Sequence, residues 1–518
     1  MNYARLWCGI AVLAGASLLG FHSSSRSAQI EVERKGAVAA PATAQRRVVG
    51  RRAALAVPLR KSITQLTAAE LQSLRNGIAQ MKAWNSAPKG SANYKRSLAY
   101  WANIHSYIGA GCGPTSALNY PGMSGISVQT KSTPDENATW CTCQHGTSQF
   151  LTWHRMYLYY FEQVLQAAAG NPSLRLPYWD YETDGRIPAA YRNPTYVNSN
   201  NQTVSNPLYV PNRQAQLASG SPLTPAVVST AGAMPATSYS PFNSALEQTP
   251  HGSVHCATGV QSCPSGYMGY VPTAGNDPIF YSHHANIDRL YECWLRVNPA
   301  QRLPGGAMLN ATFSFIDGAG NLVTRKVGDM LTTQQLNYGY TAGGGCPAAR
   351  VIRPPLLWRE VPLRVFPLTG QVRFDRATTV VPLRVPAEAR AQLFPPGGRN
   401  RPAARQATLV IDDVAFEEAP GVMYEIFMEG PNGRRVPVGV LNFFTETAPR
   451  HGDMAGMAAP SGEKRFDATA ALQALGPAAA DAKLVFEPTT GVTGVRPAPG
   501  AVNAAATLRF RAARLELR

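Results

Sequence analysis

"NDPIFYSHHANIDRLYECW", residues 276–294, decides the fold. Asp277 is a good N-cap and Pro278 suits the first helical position, so the stretch reads as a helix carrying two adjacent histidines, His283 and His284. Just upstream, "PHGSVHCATG", residues 250–259, sets His251 and His255 four apart, where two rings stack on one helical face and can reach the same ion. That spacing alone does not separate a metal site from ordinary packing.

The histidine census goes further. Only nine occur in 518 residues, and all but His22 and His451 fall in two groups. The first is His105, His145 and His154; the second is His251, His255, His283 and His284. "YKRSLAYWANIHSYI" and "SQFLTWHRMYLYYFEQVLQAAA" each carry an apolar stripe at helical spacing and hold His105 and His154. A third helix is expected to hold His251 and His255. Four histidine-bearing helices facing inward make a bundle with a metal site at its centre. His145, nine residues before His154, reaches in from a loop. Earlier, "TQLTAAELQSLRNGIAQMKAW" opens on a capping box, Thr67 with Glu70.

After "YGYTAGGGCPAAR", residues 338–350, the pattern changes to strand-length apolar or alternating runs: "ATLVIDDVAF", "VMYEIFMEG", "RVPVGVLNFF", "AKLVFEP" and "ATLRFRAARLEL". "GPNGRR" places Asn432 and Gly433 in a hairpin turn. The expected architecture is a mainly α half, a four-helix bundle around a metal site, followed by a C-terminal antiparallel β-sandwich.

The first 27 residues read as an export signal, with Arg5, an apolar run from about Leu6 to Phe21 and small polar residues after it. An uncleaved anchor is the alternative, though the run is shorter than a comfortable membrane span. No other spanning segment is found, so no stable membrane span is expected once the signal is removed, and the protein is expected to be periplasmic or secreted. The Ala, Pro and Arg rich tract that follows reads as a basic linker. A net charge of +17 invites nucleic acid, but the basic residues are dispersed and no recognition motif accompanies them. With Cys8 leaving in the signal, seven cysteines remain, so one stands outside any set of disulfides.

Imidazole suits copper, zinc, iron and nickel, so the ligands alone do not name the metal. Two sets of three neutral histidines with no ligand carboxylate leave each metal open and uncompensated in charge. Reduced dioxygen satisfies both deficits when each metal gives one electron, which copper can do and zinc cannot.

"HGTSQFLTWHRMYLYYFEQ", "TPHGSVH" and "NDPIFYSHHANIDRLYECW" resemble the two copper-binding motifs of the type-3 copper family: tyrosinases, catechol oxidases and hemocyanins. "ALNYPGM", "LPYWDYE" and Tyr338-Gly339-Tyr340 resemble plant polyphenol oxidases, and "GVLNFF" with "KRFDATAAL" resembles their C-terminal domain weakly. The resemblance implies two copper ions, with His105, His145 and His154 on the first and His251, His255 and His284 on the second. It makes His283 a neighbour, read as a hydrogen-bonded core histidine. Cys143, two residues before His145, resembles the fungal and molluscan thioether arrangement rather than the plant one; a disulfide to Cys112 or Cys141 is the alternative.

Glu247 matches a carboxylate held against a water near the coppers, able to assist phenol deprotonation; a carboxylate stabilising a helix N-terminus is the alternative. Gly252 stands where hydroxylating members often carry Asn, which puts hydroxylation in doubt, and Val271 matches a bulky gate whose small size here implies an open entrance. The domains follow as signal 1–27, basic linker 28–61, catalytic domain 62–340, linker 341–351 and sandwich 352–518. The implied activity is hydroxylation of monophenols and oxidation of o-diphenols by dioxygen. A diphenol-only catechol oxidase, a hemocyanin-like oxygen carrier and a zinc hydrolase are the rivals. An apolar side chain of the sandwich is expected to shield the site, with "TAGGGC", residues 341–346, as an exposed point for cleavage.

Overall fold

The computed structural model describes residues 57–297, 302–346, 364–374, 377–394, 406–446 and 462–518. The expected signal, most of the basic linker, His22, His451 and the segment 347–363 around the expected start of the second domain lie outside the described residues.

Helices carry the first half, and their starts follow the local signals. Thr67 and Glu70 form the capping box that opens Ala68–Ala83. The Ser97 hydroxyl accepts from the Tyr100 amide and opens Leu98–His105, whose last residue is the first histidine. Phe150–Ala169 carries His154 and ends at Gly170 in the left-handed region. Ile279–Leu295 carries His283 and His284, and the Asp277 carboxylate accepts from the Ile279 amide as its first turn forms.

The expected third helix is broken. His251 lies in the irregular turn Glu247–Gly252, where Thr249 is extended (φ −144°, ψ 126°), and His255 lies in the short helix Ser253–Thr258. Pro250 is the cause: it removes an amide donor and drives the residue before it out of the helical region.

One buried ionic network ties the helices together. Asp288, one turn beyond His284, accepts from Arg155 Nε at 2.6 Å, from the Tyr338 hydroxyl at 2.5 Å and from the Tyr340 hydroxyl at 2.6 Å. Arg60 lies 3.5 Å from the same carboxylate and donates to Glu162 at 2.9 Å. The Arg155 and Arg60 guanidiniums hold the Asp288 carboxyl below its ordinary range against the opposing effect of burial. Replacing Asp288 by Asn would leave the buried Arg155 guanidinium without its near carboxylate, while Arg60 keeps Glu162, so a loss of about 3–5 kcal/mol is expected in denaturant unfolding of the metal-free protein. A loss under about 1 kcal/mol would show that the network contributes little.

The second half is built of two four-stranded antiparallel sheets. One runs in the order Lys464–Asp467, Ala407–Asp412, Ala512–Leu517, Arg364–Thr369. The other runs Arg435–Leu441, Met423–Glu429, Lys483–Thr489, Thr379–Pro382. The expected hairpin turn is present, with Gly433 at φ 75°. A further hairpin, Thr312–Ile316 with Leu322–Lys326, interrupts the helical half; its alternation and "DGAGN" turn were signals left unread.

The two halves share one core. Met423, Val440, Phe444 and Val492 of the sheet region belong to the same buried cluster as Trp101, Trp153 and Tyr157. Backbone bonds from Thr224 N to Gly491 O and from Thr493 N to Pro222 O join them again.

"TAGGGC" is exposed at Ala342 and half-buried elsewhere, and its C-terminal part is tied down. Gly344 N donates to Asp180 at 2.9 Å, Arg289 donates to Gly344 O at 2.8 Å, and Cys346 is disulfide-bonded to Cys293. Small residues fit here because a Cβ at Gly343, Gly344 or Gly345 would stand about 3 Å or less from neighbouring atoms.

Candidate metal centre

The two histidine groups meet in the middle of the helical half. Within the first, ring centroids lie 5.0 Å (His105 to His145), 5.2 Å (His145 to His154) and 5.7 Å (His105 to His154) apart. Within the second, His251 is 4.7 Å from His255 and 5.0 Å from His284, and His255 is 5.3 Å from His284. The groups touch across the gap: His154 stacks on His284 at 4.5 Å, and His145 on His251 at 5.5 Å. In each group the candidate donor atoms lie within 4.8 Å of one another.

Backbone carbonyls fix four of the rings. His105 Nδ1 faces Val271 O at 3.1 Å, His154 Nδ1 faces Phe150 O at 2.8 Å, His251 Nδ1 faces Glu247 O at 3.0 Å and His255 Nδ1 faces Met268 O at 2.8 Å. A carbonyl only accepts, so each of these Nδ1 atoms carries the proton and each Nε2 keeps its lone pair. The Nε2 atoms of His154 and His251 are buried with no hydrogen-bond partner, and His255 Nε2 lies 3.2 Å from His284 Nε2. Burial pushes His154 down to about 3 and holds His251, His255 and His284 well below the ordinary imidazole value. Neutral rings with inward lone pairs are what a metal ion requires. Phe150 and Phe280 wall the chamber, the first 4.6 Å from His251 and the second 4.8 Å from His105 and 4.3 Å from His284.

His283 stands on the far side of the second group, 5.6 Å from the Tyr181 ring and 4.6 Å from His255. Its four-histidine grouping with His251, His255 and His284 is closer to the donors than the reading as a core neighbour anticipated, and neither ring nitrogen has a side-chain partner. Burial lowers it to about 3, and the His251 backbone opposes the shift.

Glu247 Oε1 accepts from the amide of Gly146 at 2.6 Å, so this carboxyl joins the His145 loop to the His251 turn. Burial raises it to about 8, against the Gly146 hydrogen bond. Gly252 lies beside it and is buried; Val271 is 1% exposed and contributes its carbonyl to His105. Cys143 is buried and stands outside the three disulfides, Cys112 to Cys141, Cys256 to Cys263 and Cys293 to Cys346.

Residues 95–242 and 223–297 match the common central domain of tyrosinase, and residues 307–348 match the polyphenol oxidase middle domain. Residues 95–297 thus carry a central domain of the tyrosinase type. The cofactor of the tyrosinase family is the type-3 binuclear copper centre, and the donors here fit one: a group of three and a group of four buried histidines, four of the rings held with Nδ1 against a backbone carbonyl. Among curated relatives, a tyrosinase of Hahella sp. (strain CCB-MM4) is 32% identical over 289 residues, 50% of this chain and 55% of that protein. A chloroplastic polyphenol oxidase of Vitis vinifera is 33% identical over 224 residues, 38% of this chain and 37% of its own length. The chain therefore spans about half or less of the length of these relatives. The fold matches that of a latent aurone synthase (polyphenol oxidase), with a TM-score of 0.53 at 19% identity over 89% of both chains. It also matches a tyrosinase from Burkholderia thailandensis, TM-score 0.50 at 16% identity, over 89% of this chain and all of that one.

The sheet region adds what sequence reasoning left unnamed. Phe444 stacks on His255 at 4.0 Å and 7°, and lies 5.5 Å from His251 and 5.8 Å from His145. Its motif "GVLNFF" was in view as a resemblance, but nothing local tells which of the two phenylalanines turns inward. Among the described residues no helix is long and apolar enough to cross a membrane.

Proposed function

We propose that this protein is a copper-dependent phenol oxidase, using dioxygen to hydroxylate monophenols to o-diphenols and to oxidise o-diphenols to o-quinones. The observation that carries the reading is the face-to-face approach of two neutral histidine trios, His154 on His284 at 4.5 Å, in a buried aromatic-walled chamber. His105, His145 and His154 would hold one copper, and His251, His255 and His284 the other. Bound copper supplies the electron storage and Lewis acidity for the oxygen chemistry.

The chain supplies the rest. Carbonyls of Phe150, Glu247, Met268 and Val271 fix the imidazoles before metal arrives. The Phe444 ring lies flat on His255, which supports a phenol ring resting there once Phe444 has moved. Glu247 is the candidate to take the phenolic proton, and Gly252 and Val271 the positions that set access. We read the four histidine-bearing segments as a bundle around this centre and the two sheets as a sandwich laid over it. The aurone synthase relative is described as latent, in accord with such a cover. Three disulfides favour an oxidising compartment and so the export reading, periplasmic or secreted.

Oxygen uptake tests the function. Copper-loaded protein is expected to consume oxygen with both tyrosine and dopa. Uptake with dopa alone would make it a catechol oxidase, the reading that Gly252 favours. Reversible oxygenation without quinone from either compound would overturn the enzyme in favour of a hemocyanin-like carrier.

Cys143 and His145 are proposed to form a thioether, which would lock one ligand ring in orientation. The bond removes one hydrogen from the thiol and one from the ring, a two-electron oxidation for which dioxygen, the oxidant of the proposed reaction, would be the acceptor, so intact mass after full disulfide reduction should be lower by two hydrogens. Free alkylation of Cys143 in denatured, reduced copper-loaded protein would rule the bond out.

A further inference from the structure

Gly252 is the start of the idea. Its backbone is in the right-handed helical region (φ −65°, ψ −33°), where alanine is preferred over glycine, so conformation does not account for it. Space does. A Cβ built on Gly252 would stand 2.6 Å from Oδ1 of Asn442, a residue of the sheet region.

Asn442 is 1% exposed and its amide is used at both ends. Nδ2 donates to Gln248 O in the His251 turn at 2.8 Å, and Oδ1 accepts from the Phe444 amide at 3.3 Å. A second bond, Arg465 N to Gln248 Oε1 at 3.1 Å, holds the same turn. The side chain that bridges the two halves of the chain thus also fixes the backbone of the residue whose ring lies on His255. An atom added at position 252 meets the Asn442 Oδ1 that accepts from the Phe444 amide, so the Asn442 side-chain amide must shift to make room for it.

We infer that Asn442 is a positioning residue that seats Phe444 over the metal centre, and that Gly252 is bare in order to admit it. The pair is a latch between the sheet region and the His251 turn. This rests on the phenol oxidase reading for its purpose, since a latch matters only if an aromatic substrate needs the place of Phe444. It differs from simple shielding in naming what keeps the ring in place.

The test uses copper-loaded full-length protein and the variants Gly252→Ala, Asn442→Ala and the double variant. Benzoate, a non-oxidisable aromatic anion, reports access to the site by calorimetry, and hydrogen exchange of peptides spanning residues 440–446 reports the seating of Phe444. Each single variant is expected to bind benzoate about three- to tenfold more tightly and to exchange the Phe444 amide faster. The double variant should match either single one, because both release the same latch. Unchanged benzoate affinity or unchanged exchange in Asn442→Ala overturns the inference, as do additive effects in the double variant. If Gly252→Ala alone sheds copper, Asn442→Ala still decides. Oxidation of dopa, measured separately on the same samples, judges the phenol oxidase reading, so the two can fail independently.

Discussion

Phe444→Ala is expected to raise kcat/KM for a small diphenol on the order of tenfold while two coppers stay bound. The ring lies 4.0 Å from His255 at 7° and is fully buried, so substrate and side chain compete for one place. A stacked aromatic contact is worth about 0.5–1.5 kcal/mol beyond its buried area, which corresponds to roughly two- to twelvefold in competition. The effect should fall on KM more than on kcat, because the change removes a competitor and leaves the imidazoles alone. The variant should also lose stability, by about 3–5 kcal/mol, from the cavity left behind. Two bound coppers with an unchanged or lower kcat/KM would end the shielding idea and make the sheet region purely structural. A single substitution is a cleaner test than cutting the chain after Tyr340. Truncation would remove Cys346 from its disulfide with Cys293 and uncover the core that Met423, Val440 and Val492 help to fill.

His284→Ala is expected to lose the second copper and, with it, all but about a hundredth or less of the activity, whereas His283→Ala keeps two coppers. The two residues are adjacent on one helix, so general loosening of that helix predicts equal damage. Their surroundings predict otherwise. His284 stacks on His154 and lies 6.1 Å from His105, facing the first trio, as a ligand in a two-metal centre must. His283 lies against Tyr181, away from it. Elemental analysis after dialysis decides, and equal copper loss from both would show that the four-histidine group uses His283 as a ligand.

Much of this centre could be read before any coordinates. The helix start at Thr67 is set by its capping box, and the Asp277 carboxylate accepts from the Ile279 amide beside Pro278, where the helix begins one residue later than expected; such local signals survive in sequence. The clustering of histidines survives too, because few other residue types replace imidazole as a neutral donor. Pro250 announced the break between His251 and His255, and the helix drawn through it ignored that signal. Three things were not legible. The carbonyls of Met268 and Val271 belong to the backbone, which leaves no residue signature. Asn442 acts on Gln248 and Gly252, and Phe444 on His255, across some 190 residues of chain, a separation at which pairing is decided by how the halves dock. Glu247 was noted for its position near the coppers, but its bond to Gly146 depends on where the His145 loop settles.

One short loop holds rings of both trios. Met268 O aims His255 and Val271 O, three residues on, aims His105, while the Cys256 to Cys263 disulfide anchors the start of the same loop beside His255. The two metal positions therefore share a hinge pin. A backbone displacement in residues 268–271 turns an imidazole in each pocket at once, so a strain entering through this loop reaches both. His154 and His251 rest on carbonyls of their own, and through them each pocket keeps an independent support.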